Sequence, residues 1–171
     1  MANGEKATCD PTSTDVKQPL RVRVTRLPGT DDLPLPRYAT PGSAGADLCA
    51  AVTEPVTVRM GEIALIPTGL SLEIPVGFEG QVRPRSGLAL RAGLTLVNAP
   101  GTIDCDYRGE VKIIVTCLSK TPCVIERGER IAQLVIAPVR QATFDEADVL
   151  TETERGEGGF GHTGREALTT V

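Results

Sequence analysis

Apolar positions in this chain come in short runs rich in Val and Ile, and Gly or Pro breaks the runs every few residues. The first run, residues 20–27, reads Leu-Arg-Val-Arg-Val-Thr-Arg-Leu. Its strict alternation predicts a strand with one packed and one wet face. Further strands are predicted over residues 56–59, 63–67, 70–74, 79–82 and 94–97, with turns such as Met60-Gly61 and Pro75-Val76-Gly77 between them. Two more follow over 111–116 and 123–126. Residues 130–137 are apolar nearly throughout, as in a central strand; Gln133 inside this run needs a partner, either structural or a ligand. A short helix is predicted from Ser86-Gly87 through Leu90-Arg91-Ala92, ended by Gly93. No long stretch repeats at the helical period, so the expected fold is all-β, a sandwich or barrel.

The two ends lack this pattern. Residues 1–19 are polar and predict a disordered lead-in that cannot bury enough surface to offset its ordering entropy. Residues 142–154 are acidic and polar, and the Gly-rich segment after them has no reason to fold alone. The expected organisation is a lead-in over 1–19, a β domain over 20–142 and an arm over 143–171. The arm's Gly-rich part, 155–164, has the composition of a lid: Phe160 for a flat apolar surface, Arg155 for an anion, Gly for mobility.

Composition narrows the function. The 171 residues suffice for one domain with a real core, and with aromatics at 3 % and no Trp that core must be aliphatic. A net charge of −4 argues against a nucleic-acid partner, which needs a broad basic surface, although a local Arg cluster can still hold a small polyanion. The five cysteines form no C-x-x-C and have no His at ligand spacing, so buried free thiols in a reducing compartment are expected. The start, Met-Ala-Asn-Gly-Glu-Lys, has no apolar core region and no segment is long and apolar enough to span a membrane. A soluble, cytoplasmic protein with no membrane partner is the expectation.

Three stretches carry candidate chemistry. Around Pro41-Gly42-Ser43-Ala44-Gly45-Ala46-Asp47-Leu48, small residues surround one carboxylate, so another chain or a ligand can approach the backbone closely; a structural turn is the plainer reading. In Arg83-Pro84-Arg85-Ser86-Gly87, a guanidinium, a hydroxyl and a Gly that frees backbone N–H groups make a plausible phosphate cradle at a helix start. Residues 98–110 follow an apolar run with Pro100-Gly101 and precede a β-branched one, the pattern of a hairpin or broad loop. Asp104, Asp106 and Tyr107 sit near its return arm. A short carboxylate on a rigid strand edge is a candidate general base, and equally an ordinary turn residue; the residues alone do not choose between the two Asp.

Taken together, five segments occur in a fixed order. They are Ala44-Gly45-Ala46-Asp47-Leu48, Pro84-Arg85-Ser86-Gly87, Gly101-Thr102-Ile103-Asp104-Cys105-Asp106-Tyr107-Arg108-Gly109, Arg130-Ile131-Ala132-Gln133-Leu134 and the tail from Arg155 to Phe160-Gly161. This set resembles the five motifs of the trimeric deoxyuridine triphosphatases (dUTPases), over roughly residues 20–164. The resemblance implies a jelly-roll-like β-fold and a homotrimer in which the arm of one subunit closes a site formed by the other two. It implies hydrolysis of dUTP to dUMP and pyrophosphate, with Asp104 as the base that orients a water toward the α-phosphorus. Tyr107 would lie under the deoxyribose and leave no room for a 2′-hydroxyl. Asn98 and the backbone of Gly101, Thr102 and Ile103 would read the uracil edge, with a further contact at Lys112. Arg85, Ser86, Gly87 and Gln133 would hold the phosphates. Arg155, Phe160, Gly161 and His162 would close over them, Phe160 stacking on the base. Mg²⁺ would sit on the triphosphate oxygens, with Asp47 acting through a coordinated water.

One position departs from the family pattern. The tail usually reads Gly-Ser-Thr-Gly after the Phe, whereas here it reads Gly161-His162-Thr163-Gly164. His162, the only His in the chain, would donate an N–H in place of the Ser hydroxyl, and better when protonated. Activity is therefore expected to fall more steeply above neutral pH than in His162→Ser. Two other readings are weighed against hydrolysis. A dCTP deaminase would carry a catalytic Glu on the strand after the central loop, where residues 111–116 hold no carboxylate. A non-catalytic nucleotide-binding or regulatory module would not need Asp104, Arg155 and Phe160 intact.

Overall fold

The structure is a computed structural model and describes residues 19–160. The predicted lead-in (apart from residue 19), Gly161 and His162 lie outside those residues. The described chain falls into two compact units divided after Arg140.

The first unit is a jelly-roll-like β-sandwich with antiparallel pairing throughout its ladders. Its strands are β1 (Arg23–Arg26), β2 (Arg37–Tyr38), β3 (Ala46–Cys49), β4 (Val56–Val58), β5 (Ile63–Glu73) and β6 (Phe78–Pro84). After the helix α1 (Ser86–Ala92) come β7 (Leu94–Leu96), β8 (Gly101–Ile103), β9 (Glu110–Cys117), β10 (Cys123–Ile125) and β11 (Arg130–Pro138). One sheet has the order β1-β5-β9-β7, the other β2-β3-β11-β6-β8, and β10 pairs with β4 separately. Alternate residues point inward. Ile66, Leu70 and Leu72 of β5 and Val111, Ile113 and Val115 of β9 meet Leu48, Val82, Ile131 and Leu134 of the other sheet in one core. That core is aliphatic, as the scarcity of aromatics requires.

The helix runs over the predicted residues. Gly93 closes it in the left-handed region, φ 70°, where its N–H donates to the Ala89 carbonyl at 3.2 Å. Strand β11 is the middle member of its five-stranded sheet, consistent with its nearly unbroken apolar run. Elsewhere the structure departs from the pattern. The strand predicted over 20–27 shortens to Arg23–Arg26, which is the part that reaches β5. The two strands predicted over 63–67 and 70–74 are one strand with a bulge, the register shifting between Pro67 and Ser71. Pro-Thr-Gly reads as a turn, but its polar groups are satisfied inside the ladder. The Gly69 N–H donates to Glu110 Oε1 at 2.9 Å, and the Thr68 hydroxyl donates to the Val111 carbonyl at 2.6 Å. Strand β3 occupies residues whose plainer reading is a structural turn, and β2 lies where no element is predicted.

The stretch between β7 and β9 is more than a broad loop. Its ends pair with each other in one sheet, Leu94 opposite Cys117 and Leu96 opposite Val115. Its middle crosses to the other sheet, where Gly101 pairs with Val82 and Ile103 with Gly80. A single connection thus touches both layers of the sandwich. The strand after it begins at Glu110, one residue earlier than predicted, so it does carry a carboxylate. That carboxylate is committed to the β5 bulge.

Candidate active site

The crossing stretch forms one wall of a cleft of about 440 Å³. Leu65 and Ile113 from one sheet and Val82 from the other supply apolar lining. Asn98, Gly101, Thr102, Ile103, Asp104, Tyr107 and Lys112, all expected from the sequence, line it as well. Asp106 does not. Geometry therefore separates the two carboxylates that sequence chemistry left equivalent: Asp104, directly after β8, is the one that faces the cleft.

Tyr107 is fixed from three directions. Its N–H donates to the Asp104 carbonyl at 3.2 Å and its hydroxyl to the Glu110 carbonyl at 3.0 Å. Its ring covers Gly109, where any Cβ would overlap the phenol. The amide of Asn98 packs on Gly101 less tightly, where a Cβ would come within 3.1 Å of Nδ2. Lys112 Nζ lies 3.4 Å from Glu110 Oε2. Glu110 itself lines the cleft and was not among the predicted site residues. Its side chain is only 14 % exposed, because its other oxygen plugs the bulge. Its place beside the Tyr-Arg-Gly run was the available signal.

A second cleft, about 360 Å³, gathers Asp47, Arg85, Ser86, Gly87 and Gln133. Sheet register does this: β3 lies along β11 with Asp47 opposite Gln133, and β6 lies along the other edge of β11 and delivers Arg85 from its end. Arg85 Nε sits 3.0 Å from Asp47 Oδ1, and its NH1 donates to the Arg130 carbonyl at 2.9 Å. Arg130 NH1 binds the other Asp47 oxygen, also at 3.0 Å. Two guanidiniums around one carboxylate leave a net positive, rigid cluster suited to a polyanion. Gln133 Nε2 donates to the Pro84 carbonyl at 3.0 Å, so that half of its demand is met within the fold. Its Oε1 rests on Gly45, where a Cβ would overlap it. Arg91, also unpredicted, folds back so that a Cβ on Gly87 would lie 2.9 Å from its NH2. The four-residue spacing on α1 was the signal. Beside this cluster, burial and then the Asp47 carboxylate push the Cys49 thiol up, which keeps it protonated and a poor nucleophile.

Among the described residues no group of three or more His, Cys, Asp or Glu could hold a metal ion. Asp47 is a single carboxylate already shared by two arginines. A hard divalent cation fits here only when most of its oxygen ligands come from a bound anion and water.

The second unit contains two of the predicted tail residues. Arg155 folds on itself, its Nε donating to the Gly158 carbonyl at 2.8 Å. Phe160 is fully exposed with φ 46°, a conformation rare for an aromatic residue. The two clefts of the first unit share no lining residue. One holds the predicted base and base-reading groups, the other the predicted phosphate groups.

A β-sandwich with these two clefts matches one family by both sequence and structure. The dUTPase family model matches residues 31–164. The deoxyuridine 5′-triphosphate nucleotidohydrolase of Thermoanaerobacter sp. (strain X514) is 55 % identical over 143 residues, covering 84 % of this chain and 97 % of that one. Its counterpart in Methylocella silvestris is 54 % identical over 155 residues, covering 90 % and 97 %. Among solved structures, the Staphylococcus bacteriophage 80alpha dUTPase with dUpNHpp superposes with a TM-score of 0.73 at 26 % identity, over 85 % of this chain and 99 % of that one. A variant of the dUTPase from phage phi11 of S. aureus, described for its coordination of a structural Mg(II) ion, shares the fold with a TM-score of 0.68 at 22 % identity, over 77 % and 99 %. The chain belongs to the dUTPase family.

Proposed function

We propose that the protein hydrolyses dUTP to dUMP and pyrophosphate, which limits uracil in DNA and supplies dUMP for thymidylate synthesis. The observation that carries this reading is the pair of clefts, one ending at Asp104 and one built on Arg85. Asp104 takes a proton from a water as the water's oxygen bonds to the α-phosphorus and the bond to the bridging oxygen of pyrophosphate breaks. A placed base is worth about 10²–10⁴ in rate. Asn98 and the backbone of Gly101, Thr102 and Ile103 read the uracil edge, with Lys112 beside them, and on this reading the slot they form rejects a thymine methyl. Tyr107, held over Gly109, supports the deoxyribose and excludes a 2′-hydroxyl. Arg85, Ser86, Gly87 and Gln133 take the phosphates. A Mg²⁺ ion on the triphosphate oxygens, held by Asp47 through a coordinated water, would neutralise charge on the reacting group.

Because base-reading and phosphate-holding residues line separate clefts, we place the complete site between subunits of a homotrimer. One subunit supplies the Asp104 cleft and a neighbour the Arg85 cleft. The third contributes the Gly-rich tail with Arg155, Phe160, Gly161 and His162. The full exposure of Phe160 supports this role. No helix among the described residues is long and apolar enough to cross a membrane.

The test is pyrophosphate release from dUTP, dCTP, dTTP and UTP, with Mg²⁺ and with EDTA. Release from dUTP alone is expected. No release from any of the four by folded protein would replace this reading with a nucleotide-binding module. Ammonia release from dCTP would point to deamination.

A further inference from the structure

Cys117 ends β9 and Cys123 begins β10. Their sulfurs lie 2.9 Å apart. Both residues are buried, Cys117 completely and Cys123 at 7 % exposure, while Leu118, Lys120, Thr121 and Pro122 between them are exposed. The contact is about 0.9 Å longer than a formed disulfide. The catalytic reading uses neither thiol.

We propose that Cys117 and Cys123 form a thiol-modification site that a peroxide closes reversibly into a disulfide. The Cys117 sulfur attacks one peroxide oxygen; the S–O bond forms, the O–O bond breaks and one water leaves. Cys123 then attacks the sulfenic sulfur; the S–S bond forms, the S–O bond breaks, and the oxygen departs as a second water with the Cys123 proton. Two thiols lose two electrons and one peroxide becomes two waters. The asymmetry of the pair suits this order. Burial pushes both thiols up, but hydrogen bonds from Cys123 and from the backbone outweigh it at Cys117, whose net direction is down. Cys123 is pushed up to about 11 by burial and by its Cys117 neighbour. A partner thiol already in contact intercepts the sulfenic acid before further oxidation.

The pair also touches the phosphate cleft indirectly. Cys123 Sγ donates to the carbonyl of Ala92, the last residue of α1, at 3.0 Å, and Cys117 Sγ lies 3.9 Å from the same oxygen. A disulfide has no S–H, so closure removes the Cys123 donor from the end of the helix that begins at Ser86 and Gly87. Resting on the phosphate reading of those two residues, closure is expected to raise KM for dUTP about two- to fivefold with kcat unchanged, the loss of about one neutral hydrogen bond or less.

The experiment uses the full chain and hydrogen peroxide. After native treatment, remaining thiols are alkylated and the protein is digested with trypsin without reductant. Lys120 separates the cysteines, so the peptides 113–120 and 121–127 should appear joined, and separate on adding dithiothreitol. Recovering both peptides alkylated, over-oxidised or joined to other cysteines would overturn the site. A peroxide-dependent rise in KM is expected in wild type and absent in Cys123→Ser. An unchanged wild-type KM, or an equal rise in the variant, would overturn the coupling to α1. The linked peptides need no activity, so this result is separate from any failure of the dUTP reading.

Discussion

On the proposed reading, the two clefts use opposite means to bind. The Asp104 cleft is walled by core residues of both sheets, and much of its recognition falls to backbone groups and to side chains pressed against glycines. The Arg85 cleft lies at strand ends and a short helix, and its main feature is charge: two guanidiniums oriented by one carboxylate. A flat, nearly neutral heterocycle offers few handles, so it must be measured by a rigid frame. A triphosphate is flexible and carries its own charge, so it would be held by cations, whose positions Asp47 sets here. Changes in the first cleft should alter catalysis and which nucleotide is accepted; changes in the second should alter how tightly.

The largest expected effect is at Asp104. Asp104→Asn should lower kcat for dUTP by about 10²–10⁴ and leave KM close to wild type. A loss appearing mainly in KM would erase the distinction between the clefts. Arg85→Ala should do the reverse. It removes charge-assisted contacts worth about 1.5–3 kcal/mol, so kcat/KM falls about 10- to 150-fold, chiefly through KM. Co-refolding these two variants sharpens the comparison further, because each carries one intact cleft. Activity is expected to return in the mixture; a mixture as inactive as its components would mean that both clefts of one chain serve the same site.

Gly109→Ala should have a smaller and more selective effect. A Cβ there displaces the Tyr107 ring, and the preference for dUTP over UTP is expected to fall about tenfold, roughly 1.4 kcal/mol, measured as the ratio of kcat/KM values. The smallest effect lies outside both clefts. Arg127 donates to both oxygens of Asp32, at 3.0 and 2.7 Å, and this hydrogen bonding holds the Asp32 carboxyl below its usual range against the opposing pull of burial. A depressed carboxyl adds stability above its unfolded pKa of about 4 and loses it as pH falls through the folded value. Asp32→Asn should therefore lower the urea midpoint at pH 7, by an amount that shrinks as pH falls below about 4.

The legible parts of the fold were those written locally. The helix and its Gly93 cap, the alternating face of β1 and the apolar run of β11 are set by neighbouring residues. Strands β3 and β8 were not legible, because Ala46-Asp47-Leu48-Cys49 and Gly101-Thr102-Ile103 become strands only through distant partners, β11 and β6. The β5 bulge was misread for the same reason: its Pro-Thr-Gly is satisfied by Glu110 and Val111, some forty positions away. The site divides in the same way. Motif order located Arg85, Asp104 and Gln133, whereas the choice of Asp104 over Asp106 on residue chemistry required the crossing of β8. Glu110 and Arg91 stayed hidden because each acts by touching something the sequence does not place beside it, a bulge in one case and a bare glycine in the other.

The crossing of β8 makes the base cleft a gauge of the sandwich itself. One wall belongs to each sheet, and Val82, Leu96 and Ile113 are at once lining and core. On the proposed reading, the width that would separate uracil from thymine is the spacing of the two layers, set by packing throughout the interior. A substitution deep in the sandwich, far from any phosphate, would announce itself first as tolerance of one extra methyl group. In this molecule, fidelity and stability are read on the same scale.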